Sequence, residues 1–370
     1  MNPRLQCLTL VCVGLSVSYW KGFAQTTSQA IEERRIPPEG KGYQLFRVAG
    51  MASSRSGDVY IAASDVQTIY QFSESGKLIR HIGRSGSGPG EFRLPSFVGL
   101  KDDSLWIFDY ALARISLFTP QGELARTIPL AHSGNGFLMG DGTIAITPLV
   151  GYARDINRPS MLRVQRYTPD GRFLNDMLAQ RYVVRGIRFI RNGGLIVGEQ
   201  PFDDYALFAL SPIGDGMVVV VREVRSGAGE KTFTITRIAA GGDTVYSKRY
   251  PYTPQRLSSA LVDTKVASLM GGTPEGRPTL RSDIQAAIFR PAHLPTITAV
   301  QFGLDGSIWL RREEPADSSV RWTILSATGL YTRDISLPSI VWPYSVRGSG
   351  FWGVRYDPDG VPVVVHFRLH

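Results

Sequence analysis

Arg114-Ile-Ser-Leu-Phe-Thr-Pro-Gln-Gly122 returns as Arg163-Val-Gln-Arg-Tyr-Thr-Pro-Asp-Gly171 and again as Arg321-Trp-Thr-Ile-Leu-Ser-Ala-Thr-Gly329. A wider comparison sets residues 55–82 against 101–128 at a gapless shift of 46, which aligns Ile61 with Ile107, Ile69 with Ile115, Phe72 with Phe118 and Gly76 with Gly122. Each copy holds an apolar stretch, a loop, a second stretch, a glycine turn and a third stretch, all short and rich in the residues of β-strands. A second marker sits between two apolar stretches of each unit: Gly57-Asp58, Asp103-Ser104, Asp141-Gly142, Asp215-Gly216, Asp305-Gly306 and Ser349-Gly350. Asp-Gly and Gly-Asp pairs suit the tight turns of antiparallel hairpins. Six such units in tandem predict an all-β chain, a six-bladed β-propeller of four-stranded antiparallel blades.

The repeats assign the propeller to residues 48–370, which leaves 25–47 as an N-terminal segment. The last unit has only three candidate strands, near 344–347, 351–355 and 362–369. A strand around Ile31–Ile36 is therefore expected to complete it, closing the ring and covering an exposed edge. Residues 251–293 interrupt the strand pattern and predict a small helical insertion between blades four and five. Thr253-Pro254 ahead of Leu257, Leu261, Val262, Val266 and Leu269 reads as a helix with proline at its first position. Ser282 and Gln285 read as a capping box for a second short helix over 283–289.

The chain has 370 residues, 43% of them hydrophobic, and a formal net charge of +9. That composition excludes a wholly disordered chain. Residues 1–24 read as a signal peptide, with Arg4 ahead of the apolar run Leu5–Val17 and small residues at Gly22 and Ala24. The run is short for a membrane span, which needs about 20 apolar residues. Cleavage after Ala24 would remove both cysteines, Cys7 and Cys12, together with two of the net positive charges. The expected mature protein is exported, periplasmic or extracellular, monomeric and without disulfide or thiol chemistry. In that compartment a basic surface favours a protein or an anionic glycan as partner over nucleic acid.

Tyr60-Ile-Ala-Ala-Ser-Asp-Val-Gln-Thr-Ile-Tyr-Gln-Phe72, then Gly76-Lys-Leu-Ile, then Gly83-Arg-Ser-Gly-Ser-Gly-Pro-Gly-Glu-Phe-Arg-Leu-Pro95 resembles the NHL repeat family. Asp109 and Arg114 stand at that family's usual Asp and Arg positions, whereas the first blade has Ala63 and Thr68 there. Good matches cover roughly residues 48–130, with fainter ones to the end of the chain. The whole is similar to exported bacterial six-bladed propellers, a resemblance that implies fold and location without an activity.

Candidate functional residues are few. Gly86, Gly88 and Gly90 lead into a strand and not into a helix, so they read as an inter-blade linker and not as a phosphate loop. Asp109 and Arg114 are expected to form a structural pair, an intra-blade salt bridge with turn-stabilising hydrogen bonds. His293, between Pro291 and Pro295, is a candidate ligand residue on a rigid loop. Residues 154–191 carry nine arginines, among them Arg163, Arg185 and Arg188, against Asp155, Asp170 and Asp176. Arginine without lysine suits bidentate recognition of carboxylate or phosphate. No His pair has metal-ligand spacing, and no cofactor is expected. The main expectation is an exported binding or scaffold propeller, more a binder than an enzyme. The alternative resembles metal-dependent hydrolase or lyase propellers of the gluconolactonase type, for which Asp65, Asp109, Asp155 and Glu199 are scattered candidates.

Overall fold

The computed structural model describes residues 27–147, 159–183, 186–191, 194–203, 206–223, 231–270, 278–312, 319–357 and 359–370. Their strands form six four-stranded antiparallel blades in chain order. Blade 1 is Val48–Ser53, Val59–Ala63, Thr68–Phe72 and Leu78–Ile82. Blade 2 is Pro95–Lys101, Ser104–Asp109, Arg114–Phe118 and Leu124–Pro129, and blade 3 is Asn135–Leu138, Ile144–Thr147, Pro159–Tyr167 and Phe173–Val183. Blade 4 is Leu207–Leu210, Gly216–Glu223, Thr232–Ala239 and Thr244–Pro251. Blade 5 is Ala299–Phe302, Ile308–Arg312, Ser319–Leu325 and Tyr331–Pro338. Blade 6 takes Val341–Arg347, Gly350–Tyr356 and Pro362–Leu369 from the end of the chain, and its outermost strand, Ala30–Ile36, from the beginning. The six-bladed, four-stranded architecture read from the repeats is thus the architecture of the molecule.

The hydrophobic runs of the inner strands are nearly continuous because those strands are buried on both faces, whereas the outermost strands alternate. Alternation sends Val59 and Ile61 into a core with Trp352, Val354 and Val364 of blade 6, and their neighbours Tyr60 and Ala62 into another with Leu105 and Ile107 of blade 2. Trp106 and Phe108 face Ile144 and Ile146 of blade 3, and Ala145 and Val164 face Met217 and Val219 of blade 4. Val218 and Val220 then meet Ile308 and Leu310 of blade 5, while Trp309 and Trp322 meet Phe351 and Phe367 of blade 6. These six inter-blade cores close the ring. The innermost strands approach to backbone distance: a Cβ on Gly50 would lie 2.7 Å from the Ser96 carbonyl oxygen, so only glycine fits there.

Closure uses the N-terminal segment twice. Thr27–Ser28 pairs in parallel with Tyr331–Pro338 on blade 5, and Ala30–Ile36 then crosses to pair antiparallel with Pro362–Leu369, from Ala30 opposite Leu369 to Ile36 opposite Val364. Antiparallel order also sorts the connections by end. Linkers between blades and loops between second and third strands lie at one end of the ring, and all other turns lie at the opposite end. Among the described residues no helix is long and apolar enough to cross a membrane.

Candidate functional site

Two consecutive linkers at the same end of the ring are expanded. Between blades 3 and 4 stands an extra hairpin, Gly186–Arg191 paired with Gly194–Glu199. Between blades 4 and 5 stand two helices, α1 (Ser259–Met270) and α2 (Pro278–Ala287). Helix α1 buries Val262, Val266 and Met270, one stripe at four-residue spacing. The Ser258 hydroxyl caps it by accepting the Leu261 N–H at 3.2 Å.

The start at Ser259 corrects the expectation of a helix opened by Pro254. Residues 255–257 are held extended instead: Leu294 N–H donates to the Gln255 carbonyl at 2.8 Å, and Arg256 bridges His293. The second helix opens at Pro278, which places Ser282 and Gln285 inside it and not at its cap.

Hairpin and helices share a core of their own. Ile187, Phe189 and Phe202 pack with Val262, Val266, Leu280, Ile284 and Leu294, all at most 7% exposed. One buried amide fastens the two insertions together. Gln200 donates to the carbonyls of Gly186 (3.1 Å) and Ala287 (2.8 Å) and accepts the Phe289 N–H at 2.7 Å. The result is a cap built from the linkers that join blades 3, 4 and 5.

The hairpin escaped the repeat comparison because it belongs to no repeat. Its signal was nonetheless present in Asn192-Gly193, flanked by alternating apolar residues.

Two of the ligand candidates border the cap core in sequence. His293 is exposed, and the next residue, Leu294, belongs to the cap core. Arg188 lies between Ile187 and Phe189 of that same core. Arg163 is elsewhere, on blade 3, where its guanidinium pairs with Asp176 at 2.6 Å, a carboxylate that also accepts the Gln165 amide at 2.9 Å. Arg166 is similarly engaged with Asp141 and with the Thr143 hydroxyl at 2.9 Å. Arg185 lies outside the described residues, as do Arg154 and Arg158.

Asp109 and Arg114 face each other across adjacent strands, but their charged ends form no ion pair. This corrects the expected salt bridge. Each grips the incoming linker instead. The buried Asp109 carboxylate accepts the N–H groups of Arg93 (2.7 Å), Leu94 (3.1 Å) and Leu112 (2.9 Å). Arg114 donates to the carbonyls of Ser87 (3.0 Å), Gly88 (2.6 Å) and Glu91 (2.8 Å). The Gly88 N–H and the Arg84 guanidinium hold the Glu91 carboxyl below its ordinary range, so the linker carries its own anionic clasp.

Blade 1 meets the same demand with other residues. The Thr68 hydroxyl donates to the Gly83 carbonyl at 3.1 Å, and Asp65 accepts the Phe46 N–H at 3.3 Å.

The scattered acids do not converge. Among the described residues, no three of His, Cys, Asp or Glu gather in a way that could hold a metal ion. Asp65 and Asp109 are occupied by backbone amides, while Asp155 and the Glu199 side chain lie outside the description.

No family model matches the sequence, and no curated protein matches it. Solved structures do match. An exported-protein candidate from Bacteroides fragilis superposes with a TM-score of 0.53 at 12% identity, over 95% of this chain and 97% of its own. A DUF4221 family member from Bacteroides vulgatus gives 0.44 at 12% identity, over 94% and 99% of the two chains. Virginiamycin B lyase from Staphylococcus aureus gives 0.41 at 13% identity, over 93% and 99%. The first of these likenesses concerns the fold, a six-bladed propeller spanning nearly the whole chain.

Proposed function

We propose that this chain is an exported, monomeric binding propeller that uses its capped end to hold a protein or glycan partner bearing negative charge. The observation that carries the reading is the cap itself. Two adjacent linkers have been lengthened at one end and packed into a module with its own core, and the other described linkers remain short or extended. Propellers expose their variable loops on a rigid ring, which is where recognition residues belong. The cap presents cationic Arg256 and Arg290, the His293 imidazole, and Ile190, which is 63% exposed at the hairpin. His293 and Arg188 are the proposed ligand residues within it, with Arg163 and Arg185 as flanking contributions. The leader-like residues 1–24 support export.

The test uses heparin as a polyanionic probe. Retention is expected at low salt and should weaken as salt rises, because exposed charges are screened beyond about 10 Å at 0.1 M. The double variant Arg256→Glu/Arg290→Glu should elute several-fold earlier in salt, whereas Arg172→Glu at the opposite end should not. Retention unchanged by the cap variant would refute the reading.

A further inference from the structure

Blades 6 and 1 meet in a groove of about 390 Å³ at the end of the ring opposite the cap. Cross-strand register builds one wall. Ser345, Trp352, His366 and Arg34 occupy a single row across blade 6, the Trp352 and His366 rings 5.0 Å apart. Two rows along, on the same face, Gly350 stands between Arg347 and Arg368 and contributes no side chain, which leaves a hollow between two guanidinium-bearing positions. Blade 1 supplies the facing wall with Ser54, Arg55 and Glu74.

The charges in this groove do not cancel. Glu33 is taken by Arg368 at 2.9 Å, and Glu74 by Arg34 at 3.2 Å. Arg347 spends one N–H on the Ser54 carbonyl, at 2.9 Å, and has no carboxylate partner among the described residues. Arg55 is exposed and likewise has none among the described residues. His366 Nδ1 is buried without a hydrogen bond, since the Glu33 oxygen 3.4 Å away is misaligned for one. Two unneutralised guanidinium groups and an unsatisfied imidazole nitrogen therefore surround a polar hollow. Guanidinium groups bind carboxylate and phosphate oxygens with bidentate geometry. The volume exceeds that of a bare ion and lies in the range of small-molecule pockets.

We infer that this seam groove is a binding site for a small ligand carrying a phosphate or sulfate group, held by Arg55 and Arg347 with His366 at its inner wall. Because Arg55 belongs to blade 1 and Arg347 and His366 to blade 6, a bound oxyanion would bridge the two blades that meet at the seam. Occupancy and ring closure are then thermodynamically linked, and the ligand raises the unfolding temperature. Burial, followed by the Arg34 charge, lowers the His366 pKa, with Glu33 and Glu74 acting in the opposite sense. An anion beside the ring favours the protonated imidazole, so sulfate, which stays dianionic, should bind more tightly as pH falls through the ring's lowered pKa.

The experiment is a thermal-shift titration of the full chain with inorganic phosphate, sulfate and glucose 6-phosphate against chloride at matched ionic strength. Phosphate is expected to raise Tm by about 2–4 °C over chloride. Tighter binding of the sugar phosphate would assign the remaining volume to its organic part, and equal binding would assign the site to the ion; either outcome supports the site. Arg55→Ala, at an exposed turn, should abolish the increment while leaving Tm in chloride unchanged. Arg347→Lys, which keeps the charge and loses the fork, should reduce it. The His366 ring resonances should titrate at higher pH when phosphate is present. An equal shift in chloride, or an increment that survives both arginine variants, would overturn the proposal.

Discussion

Asp109 shows how much of this fold is decided by single side chains. Its carboxylate, itself fully buried, accepts three backbone N–H groups of linker and loop. Asp109→Ala is expected to cost about 3 kcal/mol by denaturant unfolding, because several donors are left unpaired together. Heparin retention should persist if the residue is purely structural. The turn acids make a second expectation. Burial raises Asp141 and Asp305, but the hydrogen bonds from Thr143 and Ser307, with Arg166 and the Gly348 N–H respectively, outweigh it and hold both below the usual carboxylate range. Their contribution to stability is present above about pH 4 and is lost as pH falls through the lowered folded values. An unfolding curve that is flat between pH 5 and pH 2 would contradict this.

At this scale the sequence was partly legible. The co-occurrence of Asp109 and Arg114, and their joint absence from blade 1, pointed to residues that act together. The partner was misjudged because strand register makes the two residues neighbours without saying where either side chain reaches. Both reach for the linker, and Thr68 and Asp65 meet the same requirement in blade 1 by a route that residue identity conceals.

Elements were legible where they repeated. The six hairpins stood out because Gly, Asp and Ser turn residues and short apolar stretches recur together, and every inner strand must satisfy an inter-blade core on each face. The cap did not repeat and was read less well. Pro254 looked like a helix start, yet the local pairing of 255–257 with 292–294 takes precedence and hands the cap position to Ser258. The hairpin beneath the helices was missed altogether, and with it the context of Arg188 and His293.

Gln200 offers a direct probe of the module. Gln200→Leu removes two hydrogen bonds that join the hairpin to the end of α2, at Ala287 and Phe289, and one to the hairpin's own Gly186, leaving two carbonyls and one N–H without that partner. Hydrogen exchange should accelerate at least tenfold in 259–287, a change of about 1.4 kcal/mol or more in local opening, while the blade strands keep their protection. Uniform loss of protection across the ring would show that the cap does not open as its own unit.

For the whole molecule, stability is distributed around a circle of six shared cores, so the weakest joint is where the circle is shut. The seam between blades 6 and 1 rests on a core that includes Ile36, Val364 and Trp352 and on the pairing of residues 30–36 with 362–369. Removal of residues 27–36 should expose the edge of Pro362–Leu369 and drive aggregation, seen as early elution on gel filtration. A truncated chain that elutes as the intact chain does, with unchanged Tm, would show that the seam closes without that strand.

The same join fixes a temporal order. The first strand of the chain has no sheet to enter until the residues opposite it, which lie more than three hundred positions later, have been synthesised. Blades 1 to 5 can condense from local hairpins as they emerge, but the sixth cannot. Until then an arginine- and glutamate-bearing tail, Glu32-Glu33-Arg34-Arg35, waits in solvent with its charges exposed. That polarity helps an unpaired strand survive the interval without finding another edge to join.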